Sequence, residues 1–357
     1  MKLINKVSLF SILIFLFTCS DKDDDILPYP DEETVHEFEL HSNNRVSSLL
    51  MTQSEYNSWL NNDDFSNGNK RHELFKDIYK KFPDKYDFIF LVLNEESKPP
   101  SPSYFGRLIG VSNDIEGIGL NLYDNSSEYG SSGKLKAVMQ LSALEFIKYG
   151  PALHEIAHNW ANFSLSTHSV NGTGSNLSSY PYGSHWGFTG GTNFEDGGKG
   201  QLGGFSQSSL IEHGDNLYSV EPFGPNANGG NGIPYNELEL YLMGMIPISS
   251  VSNFDMFTDI TSFNVSESSY DFIANSRTTF DPKSLEDLLG KRIPNNNNSQ
   301  KNFKLLVVVL TDNPLTEEEW NKVDATAEWF SRNEDDGTSL YNFWEATNGL
   351  GSITIEN

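Results

Sequence analysis

Cysteine is almost absent from this 357-residue chain: Cys19 is the only one. An intrachain disulfide is therefore excluded, and so is a thiolate metal site, which leaves histidine and carboxylate as the available strong ligands. Basic side chains are scarce as well, 24 against 49 acidic ones, for a formal charge of −25. Such an excess of acid argues against a nucleic-acid partner, whose phosphates would be repelled. Long apolar runs are missing beyond the first twenty residues, so nothing later in the chain reads as a membrane span. No internal repeat is visible, and the asparagines at 295–298 form a short polar loop.

What is present is a pentapeptide, His154-Glu155-Ile156-Ala157-His158. On a helix, residues four apart lie one above the other on the same face. His154 and His158 can then offer imidazole nitrogens to one Zn²⁺, while Glu155 reaches a water in the metal's open position. The flanks predict a helix. Gly150-Pro151 is a start signal, no further proline or glycine occurs up to Phe163, and Leu153, Ile156, Ala157, Trp160 and Ala161 form an apolar stripe.

The N-terminus predicts export. Lys2 and Lys6 precede an apolar run over 7–17, too short to span a bilayer and shaped like a secretory signal. It ends at Leu16-Phe17-Thr18-Cys19, which resembles a bacterial lipobox with Cys19 as the lipidated residue. Loss of residues 1–18 removes two lysines and no acid, leaving 22 basic and 49 acidic side chains, a formal charge of −27. The acids after Cys19 read equally as a surface-export tag or as a solvated tether. The expected organisation is a signal peptide over 1–18, an acidic tether over 19–33, an N-terminal lobe over 34–165 with a sheet and the active-site helix, and a loop-rich C-terminal lobe over 166–357.

Within the first lobe, 86–93 reads as a buried strand, 106–122 holds further strand-like stretches, and 135–141 alternates like an edge strand, with Ser142 placed to cap a helix beginning at Ala143. Strands leading into an HExxH helix give the order of a zincin lobe, whose edge strand lines the cleft and pairs with an extended substrate. The segment 164–234 has little periodicity and many glycines, and Asn193, Glu195 and Asp196 there offer oxygens to Ca²⁺ without a full EF-hand series. Further on, 236–245 reads as a helix, 303–310 as a strand and 317–330 as a helix begun by Thr316.

A catalytic zinc site needs a third protein ligand. Thermolysin-like gluzincins take it from a glutamate near the start of a later helix, and Glu239 stands in such a place. His185, beside Trp186, is the alternative. The metzincin continuation is excluded, because Ala161 and Ser164 stand where it needs glycine and histidine. Tyr241 and Tyr182 are candidate donors to a developing oxyanion.

Several segments together resemble a group of secreted bacterial proteins with a zincin domain: Tyr86-Asp87-Phe88, 113–119, 154–160, His185-Trp186, Leu238-Glu239-Leu240-Tyr241-Leu242-Met243-Gly244 and Ala346-Thr347-Asn348-Gly349. The resemblance covers roughly 80–355. It implies a zincin fold and a metal site, with an acidic residue at the position of Glu239 on the later helix and the His-Trp pair in the intervening loop. The expected fold is α+β, a zincin-like lobe of mixed sheet plus HExxH helix with a mainly helical, loop-rich C-terminal lobe. The expected protein is a monomeric, lipid-anchored zinc metalloendopeptidase of the bacterial outer membrane acting on protein or peptide, with Glu155 as general base. Two other readings stand beside it: an inactive zincin-like surface protein that binds glycan or peptide, and a structural domain whose zinc is closed off by His185 and Glu239 together.

Overall fold

The computed structural model describes residues 34–162, 164–178, 180–181, 183–192, 198–224 and 230–357. The signal peptide, the tether, Cys19, Tyr182 and the Asn193–Asp196 loop lie outside these. The chain is mixed α+β with a mixed sheet.

The described chain opens with a hairpin, β1 (Glu37–Leu40) and β2 (Val46–Leu50), followed by helices α1 (Gln53–Asn62) and α2 (Gly68–Lys81). Strands β3 (Phe88–Leu93), β4 (Gly106–Gly110) and β5 (Ala137–Leu141) come next, then the short helix α3 (Ala152–Ala157) with the HExxH motif. Beyond it are β6 (Ile211–Gly214), β7 (Leu217–Val220), helix α4 (Glu237–Met243), the long strands β8 (Phe254–Val265) and β9 (Tyr270–Phe280), strand β10 (Asn302–Thr311), helix α5 (Glu317–Phe330) and strand β11 (Ser352–Ile355).

The main sheet runs β1-β2-β10-β3-β5-β4, with β11 pairing the first residues of β10. Its centre is parallel, β2, β10, β3 and β5 all running one way, while β1 and β4 are antiparallel to their neighbours. A parallel centre has to be covered on both faces, and the unbroken apolar run Phe88-Ile89-Phe90-Leu91-Val92-Leu93 is the consequence. Phe88, Phe90 and Val92 face a core shared with α3, α4 and α5. Ile89, Leu91 and Leu93 face a second core shared with α1 and α2. Helix α5 keeps its predicted bounds because Thr316 and Glu319 close a capping box and Trp320, Val323, Ala327 and Phe330 fall on one buried face.

Four sequence expectations change. The stretch 135–141 is not an edge: β5 lies between β3 and β4, and every residue of it is buried. Its polar Gln140 is sealed inside, where its amide takes the Trp59 indole N–H and donates to the Tyr104 hydroxyl. Ser142 caps no helix; its N–H and hydroxyl both donate to the Phe105 carbonyl at the end of the β4–β5 ladder, and the next helix covers Phe146–Tyr149. The region after 166 is not mainly helical, since β6, β7, β9 and β8 form an antiparallel sheet over an aromatic core of Phe188, Phe205, Phe257 and Phe272. Nor is the main sheet confined to 34–165, because β10 supplies a central strand from far along the chain.

One anchor ties the first described residues to the body. The buried Asp77 carboxylate of α2 accepts the backbone N–H groups of Val35 and His36 at 2.7 and 2.9 Å and the His36 ring at 2.8 Å. Burial pushes its carboxyl up, but those donors outweigh burial and hold it below the ordinary value. A depressed carboxyl contributes stability above its unfolded pKa, about 3.9, and loses it as pH falls through the folded value. Asp77→Asn should therefore lower stability by about 1–3 kcal/mol at pH 7. Denaturant titrations should show the gap to wild type closing below about pH 4.

Candidate metal centre

Helix α3 is shorter than its sequence pattern predicts. It ends at Ala157, and His158, still right-handed, caps it through its N–H to the carbonyls of Glu155 and Ile156. Tight turns continue the path: Asn159, Trp160 and Ala161 donate to Ile156, Ala157 and Ala157. The placement of His158 over His154 survives this tightening. Trp160 packs edge-on against Phe88 and beside Phe303, fixing the helix to β3 and β10.

The imidazoles of His154, His158 and His185 meet at their Nε2 atoms. His154 Nε2 lies 3.2 Å from His158 Nε2 and 3.2 Å from His185 Nε2. The ligand atoms of all three lie within 4.8 Å of one another. Zinc–nitrogen bonds of about 2.0–2.1 Å in a tetrahedral site place nitrogens about 3.3 Å apart, so this spacing is that of a coordination sphere.

The protons sharpen the point. His154 Nδ1 is 2.8 Å from the Gln201 carbonyl, which can only accept, so His154 carries its proton there. His158 Nδ1 is 2.7 Å from Asn162 Oδ1, whose amide nitrogen is already committed to the His158 carbonyl, so His158 also carries its proton on Nδ1. Both Nε2 atoms then present lone pairs to each other across 3.2 Å. Two acceptors facing each other are repulsive unless a cation lies between them. A proton is disfavoured in that role: burial takes His154 down to about 4 and His185, with the neighbouring His154 adding to the effect, down to about 3. His158 is held well below its usual value by burial and by the other two rings. Three neutral imidazoles that burial keeps unprotonated fit a divalent metal ion.

Glu155 is placed by the neighbouring edge strand. Its Oε2 accepts the Leu108 N–H of β4 at 2.9 Å, and Oε1 has no protein partner among the described residues. Close approach of strand and helix requires Gly106, where an added Cβ would come 2.8 Å from Pro151 and 3.0 Å from Glu155. Burial raises the Glu155 carboxyl to about 7, against the Leu108 N–H and the Arg107 charge, which lower it.

Glu239 does not join the cluster. Its carboxylate is fully buried and takes four N–H donors: Trp186 Nε1 at 2.9 Å, Leu202 N at 2.8 Å, and Gln201 N and Asn236 N at 3.0 Å each. Burial outweighs those four donors, which pull its carboxyl down, and leaves it above the ordinary carboxylate value. The sequence position that suggested a ligand is the third residue of a capping box with Asn236, so the side chain folds back on its own helix start. With Glu239 engaged there, the closed four-ligand arrangement with His185 does not form. Tyr241 is buried in the fields of Arg292 and Glu286. A second acidic group, Asp335, Asp336 and Glu345, is partly exposed and bonded to the protein, Asp336 accepting the indole N–H of Trp329 in α5 and Glu345 the Asn342 N–H.

Sequence reasoning did not anticipate the supports of the centre. Asn162, one turn beyond His158, carried a spacing signal that helical periodicity would have exposed. The Gln201 carbonyl and the Leu108 N–H carried none, since backbone groups have no signature in the residue alphabet. No family model, curated protein or solved structure matches the chain.

If the three histidines hold one ion, His154→Ala, His158→Ala and His185→Ala should each abolish or strongly weaken stoichiometric metal in the purified protein. Elemental analysis after dialysis measures this, and a His154→Ala/His158→Ala protein that retains one ion at wild-type affinity would remove the assignment.

Proposed function

We propose that the chain is a zinc-dependent metalloendopeptidase with a zincin-like catalytic lobe. The observation that carries the reading is the convergence of the His154, His158 and His185 Nε2 atoms beside a buried carboxyl, Glu155, that has one oxygen uncommitted. Bound zinc would supply an acidified water and a Lewis acid for the scissile carbonyl.

The chain's own residues account for the remainder. The Leu108 N–H holds one Glu155 oxygen, so the other is held in a set direction. Glu155 Oε1 takes a proton from the attacking water as the water oxygen bonds to the carbonyl carbon. The same carboxyl gives that proton to the amine nitrogen as the carbon–nitrogen bond breaks. Strand β4, the open antiparallel edge beside α3, offers an extended peptide a strand to pair with. The Gln201 carbonyl and Asn162 fix the ring planes and tautomers of His154 and His158.

Glu155→Gln tests this directly. It should leave metal content and the unfolding midpoint near wild type, because the amide still accepts from Leu108 and Glu155 is not a ligand. Cleavage of an unstructured protein should fall by about 10²–10⁴-fold. Equal cleavage by both proteins would exclude Glu155 as base. A wild type that binds zinc yet cleaves nothing in a broad panel would favour the surface-binding reading.

The same proposal places the protein in the cell envelope, tethered through Cys19 to the outer membrane. None of the helices among the described residues is long and apolar enough to cross a membrane. Wild type should enter the detergent phase on partitioning, and Cys19→Ala should remain in the aqueous phase. A wild type found wholly in the aqueous phase would refute the anchor.

A further inference from the structure

We infer that Glu239 is a positioning residue that acts on the metal centre through a single peptide group, making a carboxylate–peptide–imidazole relay onto His154. This rests on the metal-site reading above. The peptide joining Gln201 to Leu202 is bonded at both ends. Its N–H donates to Glu239 Oε1 at 2.8 Å, and its carbonyl accepts from His154 Nδ1 at 2.8 Å. Hydrogen bonds in such a chain polarise one another: a carboxylate drawing on the N–H makes the carbonyl a stronger acceptor. A stronger acceptor at Nδ1 makes His154 Nε2 a better donor to a cation, as when a carboxylate bonds a ligating histidine directly.

The same carboxylate also holds the residue that follows the third imidazole. Oε1 also accepts the indole N–H of Trp186, the residue after His185, while the Trp186 backbone N–H donates to the Leu202 carbonyl. Oε2 takes Gln201 N–H and Asn236 N–H. Each oxygen thus has two donors, and a carboxyl proton would have to displace one of them. The wrap is tight enough to require glycine at 200, where a Cβ would lie 2.4 Å from Oε1. A plain helix cap needs only the Asn236 contact. The three further donors, from segments that carry or touch His154 and His185, are what assign a role toward the metal.

The test uses the full-length chain with zinc and, for spectra, cobalt. Glu239→Gln keeps the shape and removes the charge. It should raise the metal dissociation constant by about 10–100-fold and shift the cobalt visible bands. Trp186→Phe removes one donor from Oε1 but leaves the relay peptide in place, and its loss of affinity should be smaller than that of Glu239→Gln. Should Glu239→Gln fail to fold, the wild type answers: on zinc loading, the low-field His154 Nδ1 proton and the Leu202 amide proton should shift together in NMR spectra. Wild-type metal affinity in Glu239→Gln, or a Leu202 amide indifferent to loading, would overturn the relay. His154→Ala separates the two levels. If it keeps wild-type affinity, the metal site itself is wrong; if it loses the metal while Glu239→Gln does not, only the relay falls.

Discussion

A buried negative charge is tolerable only where hydrogen bonds replace the water it has lost, and at Glu239 the replacement comes from four N–H groups on three separate stretches of chain. That requirement organises the region beyond the HExxH helix. Helix α4 begins where its capping box closes, the 200–202 backbone is drawn to the carboxylate, and Trp186 is pulled to the same point. His185 follows Trp186 to the mouth of α3. Among the described residues between the two helices, regular structure outside β6 and β7 is sparse, yet at these positions the backbone is pinned by charge-assisted hydrogen bonds.

The sheet supplies the rigid counterpart. Apolar residues on both faces of β3, β5 and β10 hold the strands between two helical layers, and Trp160 wedges α3 against Phe88 and Phe303. Against that base the edge strand β4 can come close to α3, because Gly106 presents no side chain. Glu155 is then oriented by a strand N–H while His154 and His158 are oriented from the opposite side by a loop carbonyl and by Asn162. The centre lies where a packed, sheet-bound helix meets a loop held by polar contacts. That division suits a metal site, in which ligands must be held firmly and one side must stay open.

Local pattern was sufficient for some of this. Helix α5 could be read to the residue because its capping box, first-turn acids and apolar spacing all agree. Strand β3 could be read because a run buried on both faces is apolar throughout. His154, Glu155 and His158 could be read because their spacing is itself helical geometry. Where local pattern misled, a buried polar group had found a partner from elsewhere: Gln140 is satisfied inside the strand that was expected at an edge, and Glu239 resembled a ligand. The long strands β8 and β9 were missed because their many Ser, Thr, Asn and Asp residues lie on the exposed parts of a sheet that is only partly covered.

The sequence by itself determined two imidazoles and a carboxyl at helical spacing, an acidic chain with a single cysteine, and the main apolar segments, since each depends on contacts within a few residues. Only the tertiary structure decided which third group meets His154 and His158, which strand is the edge, and what holds each ring. Those depend on pairs such as His154 with Gln201, Glu155 with Leu108 and Glu239 with Trp186, separated by 47, 47 and 53 positions. Two of these three contacts use backbone groups that every residue possesses, so folding alone distinguishes the partner.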